Sequence, residues 1–239
     1  ASPRLNRIIV VSGNIGAGKT SLIRLLAPRE GWQPHYEFVK NNPYLSLFYR
    51  DMRRWVFHLE MFFLWNRVHE YMKMINSSNI NLADRAIYEG RHVFVENLYR
   101  TRVMTRVDYQ TYNRFYEQML SFLRPPDLVV YLRVSPEIAY HRVKKRRRRS
   151  EAEIPLAYFK QLHRYYERYM EKVATLSRVL TIDTDNLNPI VRPDHLARIA
   201  DQVYTHLDLP MPLRFPAGTD SPRHGESTSA GHGSTGGIL

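Results

Sequence analysis

Eight residues, Gly13-Asn14-Ile15-Gly16-Ala17-Gly18-Lys19-Thr20, follow directly on the apolar run Ile8–Ser12 and lead into a helical pattern. Few local sequences leave a chain less freedom, because G-x-x-x-x-G-K-[ST] between a strand and a helix is the phosphate-binding loop of a parallel α/β sheet. Its glycines let backbone N–H groups turn inward around phosphate oxygens, and the helix N-terminus adds a favourable dipole. In this reading Gly13, Asn14, Ile15, Gly16, Ala17 and Gly18 form the cradle, Lys19 contacts the β- and γ-phosphates, and the Thr20 hydroxyl ligates Mg2+. A glycine turn that merely joins strand to helix is the bland alternative. It gives no reason for the lysine and threonine that complete the motif.

Further short apolar runs recur at His35–Val39, Asn81–Asp84, Leu128–Arg133 and Val179–Asp183, separated by helical patterns at Arg53–Ile75, Tyr109–Phe122 and Leu156–Leu176. That alternation predicts an α/β fold with a five-stranded parallel sheet flanked by helices on both faces. Ligands of such sheets bind beyond the carboxyl ends of the strands. There the sequence offers Glu37 toward the end of the second run and Asp84-Arg85 at the end of the third. A carboxylate at a strand end can position an acceptor hydroxyl and take its proton, and Asp84 is suited to help hold Mg2+. Either acid taken singly reads as a solvated loop carboxylate; two acids and an arginine at successive strand ends weaken that reading.

After the fourth run, Ser135-Pro136-Glu137 starts a helix that ends in the basic run Lys144 to Arg149. Arginines on a segment that closes over a transferring phosphoryl group would stabilise its charge, although most basic runs are solvated surface. With 44% apolar and 12% aromatic residues, the chain has material for one core, expected within residues 1–215. Residues 216–239 are mostly Gly, Ser, Thr and His with little to bury, and read as a disordered tail. No apolar run spans a bilayer, and Ala1–Arg7 lacks the apolar stretch of a secretory signal, so a soluble cytoplasmic protein is expected. The absence of cysteine excludes disulfides and thiolate metal sites. No pair among the histidines has a convincing metal-ligand spacing.

These motifs, in this order, resemble the deoxynucleoside kinase family over about Arg7 to Asp183. The resemblance rests on the phosphate-binding loop, on Tyr36-Glu37, on Asn42-Pro43-Tyr44-Leu45 through Trp55-Val56-Phe57-His58-Leu59-Glu60, on Asp84-Arg85-Ala86-Ile87-Tyr88 with Phe94-Val95-Glu96-Asn97, and on Tyr131-Leu132-Arg133 through Pro155-Leu156. It implies a P-loop kinase fold with an arginine-rich lid and transfer of the ATP γ-phosphoryl group to the 5′-hydroxyl of a deoxynucleoside. Nucleotide salvage and DNA precursor synthesis would be its setting. It also implies ATP and Mg2+ as requirements and a homodimer, with neither membrane nor nucleic acid needed.

Carried over by position, Glu37 is the general base, Arg85 contacts that base and the hydroxyl, and Asp84 helps hold the metal with Thr20. Tyr49 and Glu151 would bind the sugar 3′-hydroxyl, and Phe94 would stack on the base. Arg142, Arg146 and Arg148 would be the lid arginines. The family usually has glutamine where Glu60 stands, and an ionised carboxylate only accepts hydrogen bonds. Arg67, seven residues on and on the same helix face, could pair with Glu60 and supply donors. Gly90 stands where some members carry aspartate and thymidine-accepting members carry alanine, which leans toward pyrimidines or broad specificity; Arg67 leans against thymidine. Asn42 replaces a tryptophan of eukaryotic members and suggests the bacterial subtype. Thymidine or mixed pyrimidine acceptance is the expectation.

Two rivals remain open from the residues alone. A nucleoside monophosphate kinase such as thymidylate kinase shares the loop, the Asp-Arg strand end and the lid, but its anionic acceptor calls for cations where Glu37 stands. A nucleic-acid-binding ATPase would explain the net charge of +12 and leave Glu37, Tyr49 and Glu151 without a task. A GTPase is disfavoured because no Asn-Lys-x-Asp run is found.

Overall fold

The computed structural model of the chain describes residues 6–37, 42–146, 154–187 and 192–212. Five parallel strands form one sheet in the order β2-β3-β1-β4-β5, with β1 (Arg7–Ser12) in the middle. On one side β1 pairs with β3 (Ile80–Asp84), which pairs with β2 (Gln33–His35). On the other it pairs with β4 (Leu128–Arg133), which pairs with β5 (Arg178–Asp183). Because both faces are covered, β1 and β4 read as continuous apolar runs, and alternation inside them decides which core each side chain joins. Ile8 and Val10 enter one cluster, Ile9 and Val11 the other.

The first cluster is roofed by α3 (Met52–Ile75), α6 (Arg106–Leu120), α8 (Leu156–Val173) and the segment after β3. That segment runs through α4 (Ile87–Glu89), a π-helical stretch Gly90–Val95, and α5 (Glu96–Arg100). The second cluster is covered by α1 (Lys19–Glu30), α7 (Pro136–Lys145) and α9 (Pro193–His206). The short α2 (Leu45–Arg50) precedes α3. Among the described residues no helix is long and apolar enough to cross a membrane.

The boundaries shift where capping or pairing decides them. α6 starts at Arg106 instead of Tyr109 because the Thr105 side chain accepts from the Asp108 amide and caps the extra turn. α8 stops at Val173, three residues before the predicted end. β2 occupies Gln33–His35 instead of beginning at His35. It is an edge strand with one partner, and its register against Asn81–Ala83 already reaches the last residue before Asp84. Tyr36 and Glu37 therefore stand beyond the ladder. Pro34 inside β2 has no N–H, which only an edge position tolerates. Residues 147–153 and 216–239 lie outside the described residues, and with them Arg148, Glu151 and the predicted tail.

Candidate active site

Past Ser12 the chain turns through the phosphate-binding loop into α1. Gly16 holds φ at 82°, and a Cβ there would stand 2.6 Å from the Ala139 carbonyl oxygen on α7; at Gly13 one would stand 2.7 Å from that of Leu132. Close approach of β4 and α7, as well as the turn itself, thus demands glycine. Asn14 ties the loop to α8 by donating Nδ2 to the Phe159 carbonyl at 3.0 Å, while its Oδ1 accepts from the Ile15 amide at 2.8 Å. Lys19 is buried and lies back along the loop, its Nζ donating to the carbonyls of Gly13 at 2.7 Å and Asn14 at 3.0 Å. Burial, reinforced by the Arg85 charge, pulls its ammonium down to about 8.

Thr20, in the first turn of α1, donates Oγ1 to Asp84 Oδ2 at 2.5 Å, bridging the loop to the end of β3. The other oxygen, Asp84 Oδ1, is buried with no hydrogen-bond partner. An unpaired buried carboxylate oxygen beside a hydroxyl suits a hard cation. Among the described residues no group of three or more His, Asp or Glu side chains could hold a metal. A metal here therefore fits as Mg2+, which takes one carboxylate and completes its shell with phosphates and water.

Arg85 follows at φ 73°, a left-handed conformation uncommon for a residue with a side chain, and its amide donates to the Val11 carbonyl at 3.1 Å. Its guanidinium lies over the Phe94 ring, 4.5 Å from the centroid. Arg85 Nε stands 3.2 Å from Glu37 Oε2 and 3.5 Å from Glu89 Oε1. Glu37 Oε1 is held by Arg67 Nη2 at 2.6 Å. Burial alone would raise the Glu37 carboxyl, but Arg85 and Arg67 outweigh it and hold the group below the ordinary glutamate range. Behind Glu37, residues including His35, Asn66, Arg67 and Tyr71 line a cavity of about 40 Å³, room for an ordered water.

Glu89 lies entirely out of solvent beneath Arg85. It accepts from Ser12 Oγ at 2.7 Å and from the Tyr166 hydroxyl, so one carboxyl joins the end of β1, α8 and Arg85. Burial raises its titration despite Arg85 and Lys19. The sequence reading passed over Glu89, Ser12 and Tyr166. The available signal was the spacing of Arg85 and Glu89, four apart at a helix start, which is the spacing of a helical ion pair.

On α3, Glu60 is buried, and burial pushes its carboxyl up to about 7 against the pull of Arg67. The expected Glu60 and Arg67 ion pair is not formed; Arg67 gives its close contact to Glu37, which reaches it from beyond β2. Helix spacing finds partners on one helix and is blind to a carboxylate from a neighbouring strand. Arg67 Nη1 and Nε and the Tyr112 hydroxyl are buried without hydrogen-bond partners. Gly90 faces them: a Cβ at Gly90 would stand 2.2 Å from Arg67 Nη1 and 3.9 Å from the Tyr112 oxygen. The room expected beside Gly90 is therefore filled by the Arg67 guanidinium.

Phe94 is half-buried, with Arg85 on its ring and Tyr166 edge-on at 6.5 Å. Tyr49 is 59% exposed at the end of α2, and on α8 burial raises the Tyr158 hydroxyl, with the Glu60 charge adding to the shift and that of Arg85 opposing it. Tyr158, missed from sequence, thus joins the surroundings of the site. Arg142 is not directed at the loop glycines: its Nη2 donates to the Thr184 carbonyl at 2.6 Å, anchoring α7 to the end of β5. Arg146 is exposed at the C-terminal end of α7.

Residues 9–208 match the family described as deoxynucleoside kinase. The deoxyadenosine/deoxycytidine kinase of Bacillus subtilis is 32% identical over 202 residues, covering 83% of this chain and 92% of that one. Human mitochondrial thymidine kinase 2 is 32% identical over 193 residues, covering 75% and 71%. The solved structure of deoxyadenosine kinase from M. mycoides with the products dCMP and dCDP bound is similar with a TM-score of 0.72 at 27% identity, covering 83% of this chain and 99% of that one.

Proposed function

The chain belongs to the deoxynucleoside kinase family, phosphotransferases acting on a nucleoside hydroxyl, and from that premise we propose that it transfers the γ-phosphoryl group of ATP to the 5′-hydroxyl of a 2′-deoxynucleoside. The observation that carries this reading is the convergence of Lys19, Thr20, Asp84, Arg85 and Glu37 at the ends of β1, β3 and β2. The cradle of residues 13–20 receives the donor phosphates, and Lys19 exchanges its carbonyl partners for phosphate oxygens. Thr20 and Asp84 would hold Mg2+, which when bound neutralises charge on the donor phosphates. Glu37 accepts the proton of the 5′-hydroxyl as that oxygen bonds to the γ-phosphorus, and the bond to the bridging oxygen breaks to release ADP. Arg85 steadies Glu37 and stands where charge grows on the transferring group. Arg142, Arg146 and Arg148 are proposed to supply cationic contacts from the end of α7 and the lid beyond it.

For the acceptor base, Glu60 and Arg67 offer an acceptor and donors side by side, with Phe94 as the stacking surface. Pyrimidine deoxynucleosides, thymidine among them, are ranked first on the resemblance at Gly90, and the Arg67 guanidinium that occupies the space beside it is the group the base would meet. Tyr49 and Glu151 are assigned to the sugar 3′-hydroxyl. A homodimer is proposed through the exposed stripe of Trp65, His69 and Met72 on α3, where Trp65 and His69 stack at 5.6 Å.

The test is phosphorylation across thymidine, deoxycytidine, deoxyadenosine, deoxyguanosine and thymidine monophosphate, with and without Mg2+. Turnover of a nucleoside that needs Mg2+ and falls by about 10²-fold or more in Glu37→Gln is the expected result. Reaction of the monophosphate alone would replace this reading with that of a nucleotide kinase.

A further inference from the structure

Glu37 is held at both oxygens, by Arg85 on Oε2 at 3.2 Å and by Arg67 on Oε1 at 2.6 Å. The Arg67 hydrogen bond occupies Oε1, and with the Arg85 charge beside it the carboxylate is held as a poor acceptor for a hydroxyl proton. Arg85 and Glu37 stand together at strand ends. Arg67 is different: it comes from the middle of α3, on the side where Glu60, Gly90 and Tyr112 gather.

Three observations make the Arg67 contact conditional. Its Nη1 and Nε are buried with no partner, and an unmet buried donor, above all a charged one, is a standing cost that an incoming acceptor removes. Glu60, buried on the same helix and within electrostatic reach of Arg67, takes no hydrogen bond or ion pair among the described residues. Gly90 is helical at φ −52°, so its backbone does not require glycine; what requires it is the guanidinium lying where a Cβ would be.

We propose that Arg67 is a positioning residue which keeps Glu37 engaged until a nucleobase draws the guanidinium away, so that reading the base releases the general base, and that Gly90 is the seat that makes this placement possible. The inference rests on Glu37 being the base of the reaction proposed above. A nucleobase edge that presents an acceptor to Nη1 or Nε, and a donor to Glu60, engages both side chains at once. Arg67 then shifts toward the base, Oε1 opens toward the 5′-hydroxyl, and Arg85 alone remains on the carboxylate. An acceptor that carries the sugar hydroxyl without a base leaves Arg67 where it is, and Glu37 stays closed.

The experiment divides the substrate into its parts. Turnover of 1,2-dideoxyribose, a deoxynucleoside sugar with no base, is measured for the wild type, Arg67→Met and Gly90→Ala, each alone and with free cytosine or thymine added. Intact deoxynucleosides are run in parallel. With the contact removed or its seat filled, both variants should phosphorylate the base-less sugar about tenfold faster than the wild type, a difference of about 1.4 kcal/mol in barrier. The same variants should show a raised KM for the intact nucleoside. Free base should stimulate the wild type on the base-less sugar and leave Arg67→Met unchanged. Equal turnover of that sugar by the wild type and a folded variant, including none by either, overturns the coupling, since an arginine that only binds the base would give that result. If intact deoxynucleosides are not phosphorylated by the wild type, the failure lies in the proposed function instead.

Discussion

Glu60 shows how a single buried acid reports on itself. Its carboxyl titrates near 7 in the folded protein against about 4.5 for an ordinary glutamate, because burial disfavours the ion. The folded state therefore binds this proton more tightly than the unfolded state. Its contribution to stability is complete below pH about 4.5 and is lost as pH rises through about 7. Glu60→Gln should remove that slope and raise stability at pH 8 by on the order of 2–3 kcal/mol, read by urea unfolding at pH 5 and pH 8. The same substitution should alter the ranking of bases more than turnover on the best one; an unchanged ranking would take Glu60 out of base recognition. At this scale the sequence was legible where side chains gather at strand ends, as Glu37, Asp84 and Arg85 do. It was not legible for Glu89, whose importance depends on Ser12 and Tyr166 arriving from 77 residues away on either side. Nor was the partner of Arg67, since Glu37 lies 30 residues earlier on another element.

Elements carry the loop's rigidity. α7 lies so close to the phosphate-binding loop that Gly16 touches the backbone of its second turn, and Arg142 locks the same helix to Thr184 at the end of β5. Gly16→Ala places a methyl 2.6 Å from the Ala139 carbonyl in a backbone conformation that alanine resists. The prediction is a loss of roughly 1–3 kcal/mol of stability and a raised KM for ATP, with the nucleoside KM unchanged, measured by thermal unfolding and steady-state kinetics. Apolar periodicity announced all five strands and the helices α3, α6 and α8, though not α9, because burial is written into the spacing of Ile8–Val11 and of Val56, Leu59 and Leu64. It misjudged β2, where pairing, not side-chain pattern, sets the length. The π-helical stretch Gly90–Val95 was not foreseen either. One extra residue per hydrogen-bonded ring leaves hardly any trace in composition, although it is this stretch that carries Gly90 beside Arg67 and Phe94 beside Arg85.

For the whole molecule, the sheet divides two cores, and the candidate site lies where both meet the ends of the central strands. The outer face of α3 is the place where association is expected: Trp65 is 60% and Met72 40% exposed on a stripe with His69. If this stripe joins two copies, sedimentation should give twice the 28.3 kDa chain mass, and Trp65→Glu should return the single-chain mass while the fold persists. A Trp65→Glu protein still sedimenting as a pair would move the contact elsewhere. Lys19, Arg67 and Arg85 are set inside the site against Glu37, Asp84 and Glu89, a balanced group that leaves the net charge of +12 to the rest of the chain. The outer margin of the sheet at β2 has a consequence beyond catalysis. It offers three residues of open backbone, and Pro34 in their midst cannot donate. Another molecule in search of a strand to extend finds no continuous ladder there, so a protein built on apolar strands is guarded against fibril-like growth at the edge nearest Glu37.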